Sequence, residues 1–127
     1  MNKINLLEYQ NLLENNPMSI ATVSERKRER EKETPNLAVA ADIKVLSANQ
    51  LLISHNEMVK TVENIKTNPA VCLMTFDENW HGLRMYGQAQ YHATDKYYNL
   101  AKKLFTTKTC TPKGAIIVTI NSLEEQS

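Results

Sequence analysis

The sequence predicts a mainly β domain, a six-stranded antiparallel barrel with short helices at its periphery. Three observations carry that prediction. Six segments alternate apolar and polar residues or form short apolar runs bounded by turn residues, which is the period of a strand. Two helical segments fall between strands, and the remaining connections are short. Six strands left as an open sheet would expose edges that closure into a barrel removes.

The elements follow in order. Leu6, Leu7, Tyr9, Leu12 and Leu13 recur at helical spacing, and Asn15-Asn16-Pro17 ends the pattern, so an amphipathic helix is predicted over 3–14 within an N-terminal segment 1–16. Residues 18–24 read as a strand. The stretch 25–33 then holds five basic and four acidic residues and no apolar one, so it must be solvated. Its interleaved signs nearly cancel, which favours a charged hairpin loop over 25–34 and not a nucleic-acid arm. Over 35–46, Leu37, Val39, Ala41, Ile43 and Val45 line one face of a strand while Ala38, Ala40, Asp42 and Lys44 line the other. Ser47-Ala48-Asn49 turns that strand into the next, 50–54, as a hairpin. Asn56 can cap a helix running to about Thr67, where Asn68-Pro69 ends it, because proline disfavours helical geometry in the residue before it. Residues 71–76 are a strand, 77–82 a turn, and 83–93 a long strand. Thr94-Asp95 can cap a second helix to about Phe105, and after a loop over 106–113 the last strand spans 114–121.

Length and composition bound the function. With 127 residues the chain is expected to be a single domain, 1–127, large enough for a core but too small to enclose a large cofactor, so oligomerisation is expected. Lys and Arg number 15 against 14 for Asp and Glu, and a formal charge of +1 gives no global field to steer nucleic acid or an anionic membrane. Neither is expected as a partner. The N-terminus lacks the apolar stretch of a signal peptide, and no apolar run nears the roughly 20 residues of a membrane span. Cys72 and Cys110 have no C-x-x-C spacing and read as free thiols in a reducing compartment, so the expected location is the cytoplasm. His55, His81 and His92 are scattered without metal spacing, and no metal is expected. Ser19, Ser24 and the cysteines have no base beside them in a recognisable catalytic motif, so no catalytic residue can be assigned.

Lys60-Thr61 stands between the strand-like Leu51-Leu52-Ile53-Ser54 and the helical pattern that follows. A lysine charge, a hydroxyl, the free N–H groups of a first helical turn and the helix dipole together suit a phosphate. Asp42 and Lys44, two apart on one strand face, can bond ligand hydroxyls or pair with each other. Trp80, the only tryptophan, lies on a predicted turn and not in a core strand, which suits a ring-stacking lid or a subunit anchor.

The ordered set Pro35-Asn36-Leu37-Ala38-Val39, Asp42-Ile43-Lys44-Val45-Leu46, Leu51-Leu52-Ile53-Ser54, Lys60-Thr61-x-x-Asn64-Ile65-x-x-Asn68-Pro69, Arg84-Met85-Tyr86-Gly87-x-Ala89 and Lys113-Gly114-Ala115-Ile116-Ile117-Val118 resembles the pyridoxamine 5'-phosphate oxidase-like flavin-binding split barrels. The likeness runs from about Met18 to Ile120, and is greatest to the small members that consist of the barrel alone. It implies a six-stranded split barrel with Greek-key connections, a homodimer, and FMN in each of two clefts at the dimer interface. It places the flavin phosphate at Lys60 and Thr61, sets Asp42, Lys44, Ile53 and Ser54 along the ribityl chain and ring, and brings Trp80 and Arg84 from the partner subunit. FAD, a deazaflavin or haem are the alternative cofactors.

Departures from the family pattern qualify what it implies. Larger oxidases place an arginine directly before the phosphate-binding lysine, where this chain has Val59, and a glutamine that reaches the flavin from the partner, where it has Gly82. The C-terminal extension that carries substrate groups in true pyridoxamine phosphate oxidases has no counterpart before Ser127, so that activity is not expected. The expected function is an FMN-dependent oxidoreductase passing hydride or electrons between a small-molecule donor and a small organic acceptor. A non-enzymatic electron carrier or flavin store, and a cofactor-less interaction module, are the rivals.

Overall fold

The computed structural model describes residues 4–24 and 32–126. The charged stretch 25–31, where most of the predicted charged loop falls, lies outside the described residues. Its base is described: Ser24 N–H donates to the Thr34 carbonyl at 3.1 Å and Thr34 N–H to the Ser24 hydroxyl at 2.8 Å, so the two flanking strands form a hairpin.

Seven antiparallel strands form one curled half-barrel sheet, with three short helices packed on it: α1 (Gln10–Asn15), β1 (Met18–Val23), β2 (Pro35–Ala40), β3 (Ile43–Val45), β4 (Gln50–His55), α2 (Lys60–Thr67), β5 (Ala70–Phe76), β6 (Gly82–His92), α3 (Lys96–Phe105) and β7 (Gly114–Gln126). A 3₁₀ turn, Leu6–Tyr9, precedes α1. The sheet order is β2-β1-β5-β6-β7-β4-β3. β4 thus pairs with β7 and not with its sequence neighbour β5, so α2 carries the chain across the sheet.

Four sequence expectations need correction. The expected strand over 35–46 is two strands, because its partner changes at Ala41 and Asp42: β2 pairs with β1, whereas β3 pairs with β4, a ladder that the Asp42 carbonyl extends by accepting from Ser54 N–H at 3.0 Å. That break makes seven strands where six were expected, and it switches the face. Leu37 and Val39 are 68% and 63% exposed, whereas Ile43 and Val45 are buried. The barrel is also not closed by pairing: β2 and β3 are the two ends of the sheet order, joined covalently through Ala41-Asp42. Finally, Asn56 does not cap α2. The helix starts at Lys60 with Val59 as a cap residue that offers no side-chain bond, while Asn56 turns its amide to Asp42.

The core lies on the inner face of the curl. Leu6, Leu13, Met18, Ile20, Leu51, Ile53, Leu73, Leu83, Met85, Ile116 and Val118 are nearly or fully buried there. α2 packs on this inner side: Asn64 Nδ2 donates to Thr22 Oγ1 and Asn36 Nδ2 to Thr61 Oγ1, both at 3.0 Å. α3 covers the outer side of β4 and β7 through a second cluster of Leu52, Ala101, Ala115 and Ile117. Asp95 starts α3 as predicted, accepting from the N–H groups of Tyr97 and Tyr98. β7 runs to Gln126, five residues past the predicted end at Asn121, and Tyr9 ties its far end to the N-terminal turn by donating to Glu125 at 2.5 Å. Among the described residues, no helix is long and apolar enough to cross a membrane.

Candidate functional site

β4 is apolar through Leu51, Leu52 and Ile53, all fully buried, and then delivers Ser54 and His55 to the end of the sheet. There the broken strand, the loop 56–59 and the loop before β7 enclose a groove of about 520 Å³, within the roughly 300–1,000 Å³ of small-molecule sites. Val39, Ala40, Ala41 and Met58 give it an apolar side. Ser54, Asn56 and Glu57 give it a polar one, and Cys110 reaches it from the loop before β7. A short hydrogen-bond chain sets the polar side: the Ser54 hydroxyl donates to Asn56 Oδ1 at 3.1 Å, and Asn56 Nδ2 donates to Asp42 Oδ2 at 3.2 Å.

The expected site residues divide into three groups. Ser54 lines the groove and Asp42 stands behind it through Asn56. Lys60 and Thr61 open α2 just beyond the groove loop, with the first-turn N–H groups uncapped by any side chain. Lys60 Nζ pairs with Glu63 at 3.5 Å, yet both side chains are more than 60% exposed, so this pair holds the lysine only weakly. Thr61 is turned inward, its hydroxyl accepting from Asn36. The third group lies elsewhere. Ile53 faces the core, and Lys44 pairs with Glu14 of α1 at 3.6 Å and not with Asp42. Trp80 and Arg84 lie across the sheet: Arg84 is in register with the groove residue Val39 but three strands away, on the order of 14 Å, and on the face opposite α2. One chain alone therefore does not unite Lys60 with Trp80 and Arg84.

The hairpin that carries Trp80 is built to present it. Asp77 Oδ1 accepts from the N–H groups of Asn79 and His81 at 2.8 and 3.0 Å, and Trp80 takes φ 64°, a left-handed conformation unusual for a bulky residue. The indole is 72% exposed, with one edge against Phe76. Arg84 Nη1 stands 3.9 Å from Glu124.

Strand register shows what joins these places on the surface. Leu37, Ala21, Cys72 and Tyr86 form one row across β2, β1, β5 and β6, and Val39, Ser19, Met74 and Arg84 form the next. Both rows point outward, since Ile20, Leu73 and Met85 between them are buried in the core. α2 lies on the other face and α3 over β4 and β7, so among the described residues this largely apolar face runs without a helical cover from the groove residue Val39 to the Trp80 hairpin.

His55 stands behind the groove, bonded to its lining residue Met58, and sequence spacing did not single it out. It is 9% exposed, its Nε2 lies 2.7 Å from the Met58 carbonyl oxygen, and its Nδ1 lies 2.6 Å from the Tyr91 hydroxyl. Burial pushes its pKa below the ordinary 6.5 against the pull of the Met58 carbonyl, and Lys113 and Lys66 push the same way as burial. Only its place directly after Ser54 hints at this role. His92 is bound differently, with Nδ1 at 2.5 Å from Asp95 Oδ2 and Nε2 buried without a partner among the described residues.

Comparison with known proteins agrees with this architecture. A family model described as pyridoxamine 5'-phosphate oxidase matches residues 8–124. The uncharacterized protein MJ0282 of Methanocaldococcus jannaschii is 33% identical over 115 residues, covering 87% of this chain and 73% of that protein. Among solved structures, HupZ of Group A Streptococcus superposes with a TM-score of 0.81 at 22% identity, covering 94% of this chain and 91% of that one. An FMN-binding protein from Syntrophomonas wolfei subsp. wolfei superposes with a TM-score of 0.71 at 20% identity, covering 98% and 84%. With a family match over nearly its whole length and a sheet of the matching shape, the chain belongs to the pyridoxamine 5'-phosphate oxidase-like split-barrel family.

Proposed function

We propose that this protein is a homodimeric FMN-dependent oxidoreductase that transfers hydride or electrons to a small organic acceptor such as a quinone or nitro compound. The observation that carries the reading is the groove beside α2, which continues directly into an uncovered apolar face. A planar ring fits the side made by Val39, Ala40, Ala41 and Met58, ribityl hydroxyls find partners in Ser54 and Asn56, and a phosphate fits the uncapped first turn at Lys60. FMN bound there would supply reversible hydride and single-electron chemistry, and the protein would contribute orientation and shielding. The S. wolfei relative, an FMN-binding protein of the same fold, supports the choice of cofactor. Within one chain's groove haem fits less well, because the neighbouring His55 has both ring nitrogens engaged and His92 buries its free one, while the exposed His81 lies on the Trp80 hairpin away from that groove.

Energetics favour the dimer. A charge-assisted bond from Lys60 contributes roughly 1.5–3 kcal/mol, whereas micromolar affinity requires about 8. Burial of the ring must supply the rest, and in one chain the groove lies at the surface. A second copy on the outward face of β2, β1, β5 and β6 covers Leu37 and Val39 and brings its own Trp80 hairpin to the groove, joining residues that a single chain holds apart. The two free thiols, Cys72 and Cys110, suit a reducing compartment, and we place the protein in the cytoplasm.

Titration of the purified protein with FMN, followed by quenching of flavin fluorescence, tests the cofactor. Saturable binding is expected, weakened about tenfold by Lys60→Ala, a loss of about 1.4 kcal/mol. Wild-type protein that leaves FMN fluorescence unchanged would sink the reading. Acceptor-dependent consumption of NADH or NADPH by the loaded protein then separates an enzyme from an electron carrier or flavin store.

A further inference from the structure

We infer that His55 is a positioning residue of the groove: in its neutral form it fixes the loop 56–59, and with it the start of α2, so the site is held in its binding shape by one protonation state. The hydrogen-bond pattern permits a single neutral arrangement. The Met58 carbonyl can only accept, so Nε2 carries the proton; Nδ1 then has a lone pair, and the Tyr91 hydroxyl at 2.6 Å donates to it. Met58 lines the groove, and Val59 and Lys60 follow it directly, so this bond sets where the loop and the lysine stand.

The surroundings oppose a second proton. Lys113, whose N–H donates to the His55 carbonyl at 2.7 Å, approaches from the loop before β7, and Lys66 of α2 lies 5.0 Å over the Tyr91 ring. Tyr91 of β6 packs edge-on against the imidazole. On protonation Nδ1 must donate to the Tyr91 oxygen, and Tyr91 must swing its proton to the Lys113 carbonyl at 3.4 Å, too long for a good O–H···O bond. A buried charge is then left between two lysines. Since the folded pKa is depressed, the arrangement is fully present above about pH 6.5 and is lost as the pH falls through the lower folded value.

The binding half of the test rests on the FMN reading, and the resonance half does not. FMN affinity is measured from pH 8 to pH 5 for wild type, His55→Gln and His55→Leu, with riboflavin as a ligand that lacks the phosphate, which itself titrates near pH 6. At pH 8 His55→Gln, whose amide can still donate to Met58, is expected within about threefold of wild type, and His55→Leu to bind at least tenfold more weakly. Riboflavin affinity should fall with acid in wild type and stay level in His55→Gln. Equal affinity of wild type and His55→Leu, or the same riboflavin profile for wild type and His55→Gln, overturns the inference. In the protein without ligand, nitrogen resonances should show the Nε2–H form of His55 titrating below 6.5, with the amide signals of Met58, Val59 and Lys60 moving along the same curve. Amides that ignore that titration overturn the inference even where no flavin binds, and amides that follow it while FMN fails to bind leave it standing and sink the flavin reading alone.

Discussion

At Val59 the chain presents an isopropyl group, 69% exposed, on the residue that leads into α2, beside the one basic side chain of that turn. An exposed aliphatic group there adds nothing to phosphate binding. Val59→Arg should add one charge-assisted bond, discounted by solvent to about 1 kcal/mol, and so tighten FMN roughly fivefold in a fluorescence titration. Riboflavin affinity should not change. Equal gains for both ligands would show that the arginine acts on the ring and not on the phosphate. Lys60 itself was legible as a candidate because charge, hydroxyl and helix start coincide in sequence, whereas the inward turn of Thr61 depends on Asn36, 25 positions earlier, and is invisible locally.

For the elements, α2 is held to the sheet by two amide-to-hydroxyl bonds as well as by Val62 and Ile65 in the core. Asn64 is 4% exposed and Thr22 1%, so the bond between them is buried and neither group has water to fall back on. Asn64→Leu should cost about 1–3 kcal/mol, because it leaves the Thr22 hydroxyl unpaired, and adding Thr22→Val should restore part of that loss. Urea midpoints of the two single variants and the double variant decide it, and additive losses would show that the pair is not coupled. The helix and its end at Asn68-Pro69 were readable from periodicity and proline. Its start was not, because Asn56 has a better partner in Asp42 than in a helical N–H.

Across the whole molecule, the outward face of β2, β1, β5 and β6 is the largest consequence of the curl. Leu37 and Val39 stand on it at more than 60% exposure, the groove lies at one of its ends and the Trp80 hairpin at the other. Leu37→Lys should yield a monomer by sedimentation velocity, since a buried lysine without a partner charge opposes association. It should lose FMN affinity in parallel, although Leu37 does not line the groove and faces away from α2. A monomer that binds FMN as tightly as the parent would refute the shared cleft.

The sequence by itself determined the β class, most of the element order, the helix cap at Asp95 and the helix end at Asn68-Pro69, because each rests on contacts a few residues apart in the chain. Only the tertiary structure decided the rest. The change of partner from β1 to β4 at Ala41-Asp42 splits a strand whose alternation looked continuous, and Leu37 and Val39 face outward while Ile43 and Val45 go in. The pairing of β4 with β7, and of β7 with β6, brings His55 to Lys113 and to Tyr91, 36 positions later in the chain. These outcomes depend on which distant backbone groups satisfy one another, and side-chain periodicity carries no information about that.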